Sequence, residues 1–161
     1  MYRERYKYLK YMIIKIFKAI VKVLMGLFMV FAGYSHLTVA REEFVAQVPV
    51  WIQFSPGFTD FVVLASGVVE ILLGLSMLCL WKERSGWAGA ALAIFYVLIF
   101  PGNINQYVEH IDAFGLDTDQ ARLIRLFFQS VLICLALWST GGWSTLKTWW
   151  KACKGMFNKT K

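Results

Sequence analysis

Four long apolar stretches constrain what this chain of 161 residues can fold into. A helix needs about 20 mostly apolar residues to cross a hydrocarbon core of roughly 30 Å. Hydrophobic residues make up 58% of the chain, whereas soluble domains usually carry about 45–50%. The stretches therefore predict an all-α integral membrane four-helix bundle. The predicted spans cover residues 16–37, 61–81, 87–105 and 123–140.

The basic residues divide the chain into three parts, with a basic N-terminal segment at 1–15, the four-helix domain at 16–142 and a basic tail at 143–161. Fourteen of the 17 Lys and Arg residues lie up to Lys22, in the loop after the second span, or in the tail. Short cytoplasmic loops carry an excess of Lys and Arg. Both termini are therefore expected to be cytoplasmic, with the chain in the cell (inner) membrane.

A cleaved signal peptide ending at Thr38-Val39-Ala40 is a competing interpretation of the first span. It is disfavoured because the charged region of a signal peptide is short, and this one extends past twenty residues.

The net charge of +7 raises the question of nucleic acid as a partner. Because the charge lies at the ends of the spans, beside Tyr and Trp residues that favour the membrane interface, we expect the lipid bilayer as partner and no nucleic acid. The three cysteines form no C-x-x-C motif and no zinc-binding spacing. The sequence thus predicts neither a redox dithiol nor a metal site.

Two connections are expected on the outer side of the membrane. Residues 41–58 contain too few continuous apolar residues to span, and Trp51 and Phe54 lie between two prolines. This segment predicts a lid without strands or a short surface helix. The second connection, residues 109–120, is acidic, and its His110 is expected at the surface.

Each span carries at least one polar side chain, at a cost of roughly 2.5–3.5 kcal/mol for an ionisable group at a helix centre. Helical spacing places Glu70 on a stripe of small residues, so it is expected to face protein rather than lipid. That stripe comprises Val63, Ser66, Gly67, Glu70, Gly74 and Met77. On the fourth span Arg125 and Gln129 share one face, with Cys134 on the opposite one.

These polar groups are expected to meet in the outer half of the bundle, where Glu70 and Arg125 would neutralise each other as a pair. The ligand-binding candidates are His36, Glu70, Tyr96, Asn103, Arg125 and Gln129, and the catalytic candidates among them are Glu70, His36 and Arg125. His36 is the natural proton donor or acceptor, although a lone histidine at a helix end is more often simply solvated.

The alternative is that these side chains only hold helices together through hydrogen bonds. This structural interpretation is favoured for Asn103 and Gln129. For Glu70 and Arg125 the structural and the functional interpretations are equally favoured.

Five short motifs resemble the DoxX family of small four-helix membrane proteins. They are G-Y-S-H at 33–36, V-P-V-W at 48–51, S-G-V-V-E-I-L-L-G at 66–74, F-P-G-N-I at 100–104 and R-L-F-F-Q at 125–129. The resemblance extends from about Val23 to Trp143 and implies that His36, Glu70, Asn103, Arg125 and Gln129 are characteristic polar positions. It also implies a link to quinone-coupled, oxidative-stress or respiratory functions.

Two functions follow as expectations. The first is a redox-associated membrane subunit that binds a quinone as cofactor and exchanges electrons with a redox partner protein or another membrane subunit. The second is a non-enzymatic binding or assembly module for a lipid, a small solute or a partner protein. A channel or carrier is disfavoured because four helices leave little room for a pore unless the chain forms an oligomer.

Overall fold

The computed structural model describes residues 2–159, with side chains up to residue 156, and this part of the chain is helical without strands. A short 3-10 helix, Val50–Ile52, lies between the second and third of six α-helices. The α-helices are α1 (Tyr2–Leu37), α2 (Arg41–Gln47), α3 (Pro56–Cys79), α4 (Glu83–Val108), α5 (Asp119–Thr140) and α6 (Gly142–Lys159).

Capping residues explain where α3 and α5 begin. The hydroxyl of Ser55 accepts a hydrogen bond from the backbone N–H of Phe58, and Pro56 occupies the first turn, where its missing N–H costs nothing. Thr118 caps α5 in the same way, accepting from Ala121 N–H at 3.2 Å. Gly141, with φ of 78°, ends α5 in the left-handed conformation that favours glycine.

Three of the described helices, α3, α4 and α5, are long and apolar enough to cross a membrane. They contain the second, third and fourth predicted spans. The first predicted span lies within α1, which is not one of the three.

The ends of the chain are more helical than the sequence analysis indicated. α1 begins at Tyr2, so the basic N-terminal segment continues the first helix instead of preceding it. The tail forms α6. Neither region contains proline, and their Lys, Leu, Met and Ala residues are good helix formers.

α4 continues through Pro101 to Val108, three residues beyond the predicted end of its span. Proline removes one backbone hydrogen bond, but the residues on both sides of Pro101 remain helical. Asn103 and Gln106 therefore stay on the buried face of α4. His110 lies outside the helix in an exposed loop, as expected.

Glycines bring α1 and α3 into close contact. A Cβ atom added at Gly74 would lie 2.7 Å from the carbonyl oxygen of Gly26, and one added at Gly67 would lie 2.6 Å from the Cβ of His36. The small-residue stripe predicted on α3 is buried at Val63, Gly67, Glu70, Gly74 and Met77. This close approach sets His36 of α1 opposite the middle of α3.

Candidate functional site

A cavity of about 600 Å³ lies among α1, α3, α4 and α5, beneath α2 and the loop that follows α4. All six predicted ligand-binding residues line it: His36, Glu70, Tyr96, Asn103, Arg125 and Gln129. Most of the remaining wall is apolar, with Phe28 and Met29 from α1, Val62 from α3 and Leu132 from α5 among the lining residues. An apolar cavity with a few convergent polar groups is the usual form of a small-molecule site, and its size lies within the usual range of about 300–1,000 Å³.

His36 and Glu70 form a buried pair on the cavity wall. Nε2 of His36 lies 3.3 Å from Oε2 of Glu70, and both side chains are more than nine-tenths buried. Oε2 is enclosed but accepts no aligned hydrogen bond from the described residues. Glu70 thus lies beside His36 in a buried position, while the hydrogen-bonding capacity of its Oε2 stays unused.

The other ring nitrogen of His36 determines where the proton of this pair resides. Nδ1 lies 3.2 Å from the carbonyl oxygen of Val63 and 3.1 Å from Oγ of Ser66, which itself donates to the same carbonyl. A carbonyl only accepts, so Nδ1 carries a hydrogen. Nε2 then faces the carboxyl group, and two bare lone pairs at this distance would repel. A proton on either Nε2 or the carboxyl group of Glu70 would remove this repulsion.

The expected pairing of Glu70 with Arg125 is wrong. Arg125 donates instead to two amide oxygens, from NH1 to Oε1 of Gln106 and from NH2 to Oε1 of Gln47, both at 3.0 Å. Gln47 also donates to Gln106 at 2.7 Å. Arg125 therefore joins α2 to α4 and α5 at the mouth of the cavity, while Glu70 lies deeper along α3 beside His36.

Aromatic rings form a roof over the histidine. The Phe44 ring of α2 stacks on His36 with ring centroids 3.3 Å apart, and Phe114 meets Phe44 edge-on at 4.6 Å. The Arg125 guanidinium lies 5.0 Å from the centre of the Phe114 ring. Phe114 adopts a φ of 58°, uncommon for a residue with a side chain, and its N–H donates to Glu43 of α2. The segment predicted as a lid or short surface helix is thus α2 with the 3-10 helix, and it covers the cavity.

Ion pairs anchor this roof to the helices below. Arg41 of α2 binds Asp60 of α3, with Nε donating to Oδ1 at 2.6 Å, and these hydrogen bonds raise the pKa of Arg41 above its usual value. Arg122 of α5 is buried and donates to Asp112, to Asp119 and to the carbonyl oxygen of Ile111. The loop after α4 is therefore tied to α5.

The remaining polar residues of the cavity wall differ in whether their side chains form hydrogen bonds. Gln129 donates from Nε2 to the carbonyl oxygen of Tyr96 at 3.0 Å, and the Tyr96 hydroxyl lies 3.1 Å from Sδ of Met29. Asn103 is buried on the cavity wall and makes no side-chain hydrogen bond within the described residues. The structural interpretation favoured for Gln129 is supported by one bond across helices, whereas Asn103 holds no helix in place by hydrogen bonding.

The residues of the wall that the sequence did not indicate include Phe44, Gln47, Ser66 and Phe114. Ser66 was placed on the buried stripe of α3 but not in the site, although its position one turn from Glu70 was a usable signal. The other three come from the outer connections, where no periodic pattern indicates which side chains turn inward. The three cysteines are unpaired, and residues 2–159 contain no cluster suited to a metal ion.

Comparison with known proteins gives a family but no characterised relative. Neither a curated protein nor a solved structure matches this chain. A family model matches residues 25–140, a range that contains every ligand-binding candidate and most of the roof. The chain therefore belongs to the family described as Domain of unknown function (DUF8561).

Proposed function

We propose that this protein is a DoxX-like, multi-pass membrane protein in which α1 joins α3, α4 and α5 to form a four-helix transmembrane bundle. The glycine contacts between α1 and α3 support this, because close backbone approach is the usual way in which helices associate in lipid. Residues 16–37 of α1 are long enough to span. The concentration of Lys and Arg near the termini supports a cytoplasmic position for both.

The bundle binds a lipid-soluble molecule in its outer half, and a quinone is the ligand that the cavity suits best. The observation that carries this proposal is the convergence of six side chains from four helices on one cavity with an otherwise apolar wall. A quinone is flat and apolar, with two polar oxygens, so it requires aromatic or aliphatic walls and a few hydrogen-bonding groups. Phe44 and Tyr96 supply aromatic side chains to the wall, and Asn103 supplies a free amide.

In this function the protein is a redox-associated subunit. The His36–Glu70 pair holds a proton on the cavity wall, where it can be exchanged with a ligand oxygen as the ligand gains or loses electrons. The electrons pass to or from a redox partner protein or another membrane subunit.

The second candidate is a non-enzymatic module that holds a lipid or small solute, or that assembles with a partner protein. The observation in its favour is the breadth of the apolar wall, which also suits an acyl chain. In that case the polar cluster secures the helices and selects a head group.

The test is native mass spectrometry with lipid extraction on the protein purified gently from its own membrane. Wild type is expected to retain a quinone, and Glu70→Gln to lose it. Glu83→Gln, the same chemical change at an exposed position at the start of α4, is the matched control and should retain it. A phospholipid in place of the quinone, or a co-purifying protein with no small molecule, would move the function to the second candidate.

A further inference from the structure

Several hydrogen-bond acceptors on the cavity wall are left unused. Neither carboxyl oxygen of Glu70 accepts a hydrogen bond from a described residue. Gln129 uses its nitrogen on the carbonyl oxygen of Tyr96, which only accepts, so its own Oε1 remains free. Asn103 adds one further acceptor and one donor.

The strong donors that line the cavity already donate to protein acceptors, and Arg125 does so with two of its five N–H groups. Both terminal nitrogens of Arg125 donate to Gln106 and Gln47. The Ser66 hydroxyl donates to Val63, and Nδ1 of His36 faces the same carbonyl. A ligand with only carbonyl oxygens would therefore leave the Glu70 carboxyl group and the Gln129 oxygen without partners. Leaving a buried polar group unsatisfied is unfavourable.

We propose that the cavity selects a ligand whose head group donates hydrogen bonds, and hence takes the reduced, hydroquinone form of a quinone in preference to the oxidised form. This inference rests on the proposed function. One hydroxyl donates to the Glu70 carboxyl group, which the neighbouring His36 keeps in place. The other hydroxyl lies toward the amides of Gln129 and Asn103, and the ring lies along the apolar wall that includes Met29 and Leu132.

The preference follows from the strength of a hydrogen bond to a charged or partly charged acceptor, about 1.5–3 kcal/mol. Since about 1.4 kcal/mol is tenfold in affinity, the hydroquinone is expected to bind at least tenfold more tightly. Tighter binding of the reduced form raises the midpoint potential of the bound two-electron couple by about 30 mV for each tenfold preference.

The experiment uses the full-length protein in lipid nanodiscs under anaerobic conditions. A decyl-substituted para-benzoquinone and its chemically reduced hydroquinone are titrated separately, and each Kd is measured by quenching of tryptophan fluorescence, since Trp51 lines the cavity. The expected result is a hydroquinone preference of about tenfold or more. Glu70→Gln replaces an acceptor by a group that can donate to a carbonyl, so it should abolish or reverse the preference, whereas Glu83→Gln should preserve it.

The outcomes separate this inference from the function beneath it. Equal affinity of wild type for the two forms, or tighter binding of the quinone, would overturn the selection of a hydrogen-bond donor while leaving the quinone site in place. Binding of neither form would overturn the proposed function itself. If Glu70→Gln does not fold, the wild-type comparison still decides, and Gln129→Met should reduce the preference by removing the second acceptor.

Discussion

At the scale of single residues, the partner of Glu70 is the feature that most affects the chemistry of the site. A carboxyl group paired with arginine would be a fixed ion pair. Its neighbour at 3.3 Å is instead His36, a residue type that can donate or accept a proton. Arg125 is occupied elsewhere, by two glutamine amides at the cavity mouth. The residue beside the Glu70 carboxyl group and the residue that binds α2 of the roof are therefore different: His36 and Arg125.

A double-mutant cycle tests this pairing. His36→Gln and Glu70→Gln should each lower the free energy of unfolding, and the double variant should lose less than the sum, with a coupling of about 0.5–3 kcal/mol, because each single change leaves an unmatched buried group. Thermal or denaturant unfolding of the purified protein measures this. The cycle of Glu70→Gln with Arg125→Gln should be additive within about 0.5 kcal/mol, since the two residues share no hydrogen-bond partner. Additivity in the first cycle and coupling in the second would contradict the pairing described here.

At the scale of helices, contact between α1 and α3 through small residues positions His36. Gly67 leaves just enough room for the histidine Cβ, and Gly74 admits the Gly26 backbone. Close packing of this kind tolerates no added volume, because neither neighbour is the flexible end of a side chain. The geometry of the site thus depends on residues that carry no functional group.

Gly67→Ala should lower the stability by about 1–3 kcal/mol through overpacking and displace His36 from Glu70. Gly57→Ala is the matched control on the same helix, because a Cβ added there has nothing within 4 Å. It should leave stability unchanged or raise it by up to about 1 kcal/mol, since alanine restricts the unfolded chain more than glycine does. Thermal unfolding midpoints of the two variants in the same detergent provide the comparison. Equal midpoints for both would show that the α1–α3 contact is looser than described.

At the scale of the whole molecule, the cavity and its roof lie at one end and most of the basic residues at the other. The roof is built from α2 and the loop after α4, while the basic residues cluster in the first half of α1, the loop before α4, and α6. In a membrane this polarity places the cavity on the outer side, if both termini are cytoplasmic as proposed.

Cysteine labelling in sealed right-side-out membrane vesicles tests this orientation. Asp117→Cys, placed in the exposed loop after α4 in a chain whose native cysteines are serine, should react with a membrane-impermeant maleimide. The native Cys153 of α6, retained alone, should react only after the vesicles are permeabilised. The reverse pattern would place the cavity on the cytoplasmic side, and labelling of both without permeabilisation would show that α5 does not cross the membrane.

The helical class, the limits of α3, α4 and α5 to within about five residues, and six of the polar and aromatic residues that line the cavity could be predicted from the sequence. These features depend on local hydropathy and on the helical period, which the order of residues expresses directly. The continuation of α4 past Pro101 and the helices at both chain ends required the structure, because propensity alone does not locate helix ends.

Which polar groups come into contact depends on the tertiary packing of the helices. Whether Glu70 faces His36 or Arg125 depends on the depth and rotation of three helices relative to one another, and glycine contacts between α1 and α3 set that arrangement. The same holds for the roof, where Phe44, Gln47 and Phe114 come from segments without a repeating pattern. A helical period tells which side of a helix faces protein, but the partner on the other side is determined by packing between helices far apart in the chain.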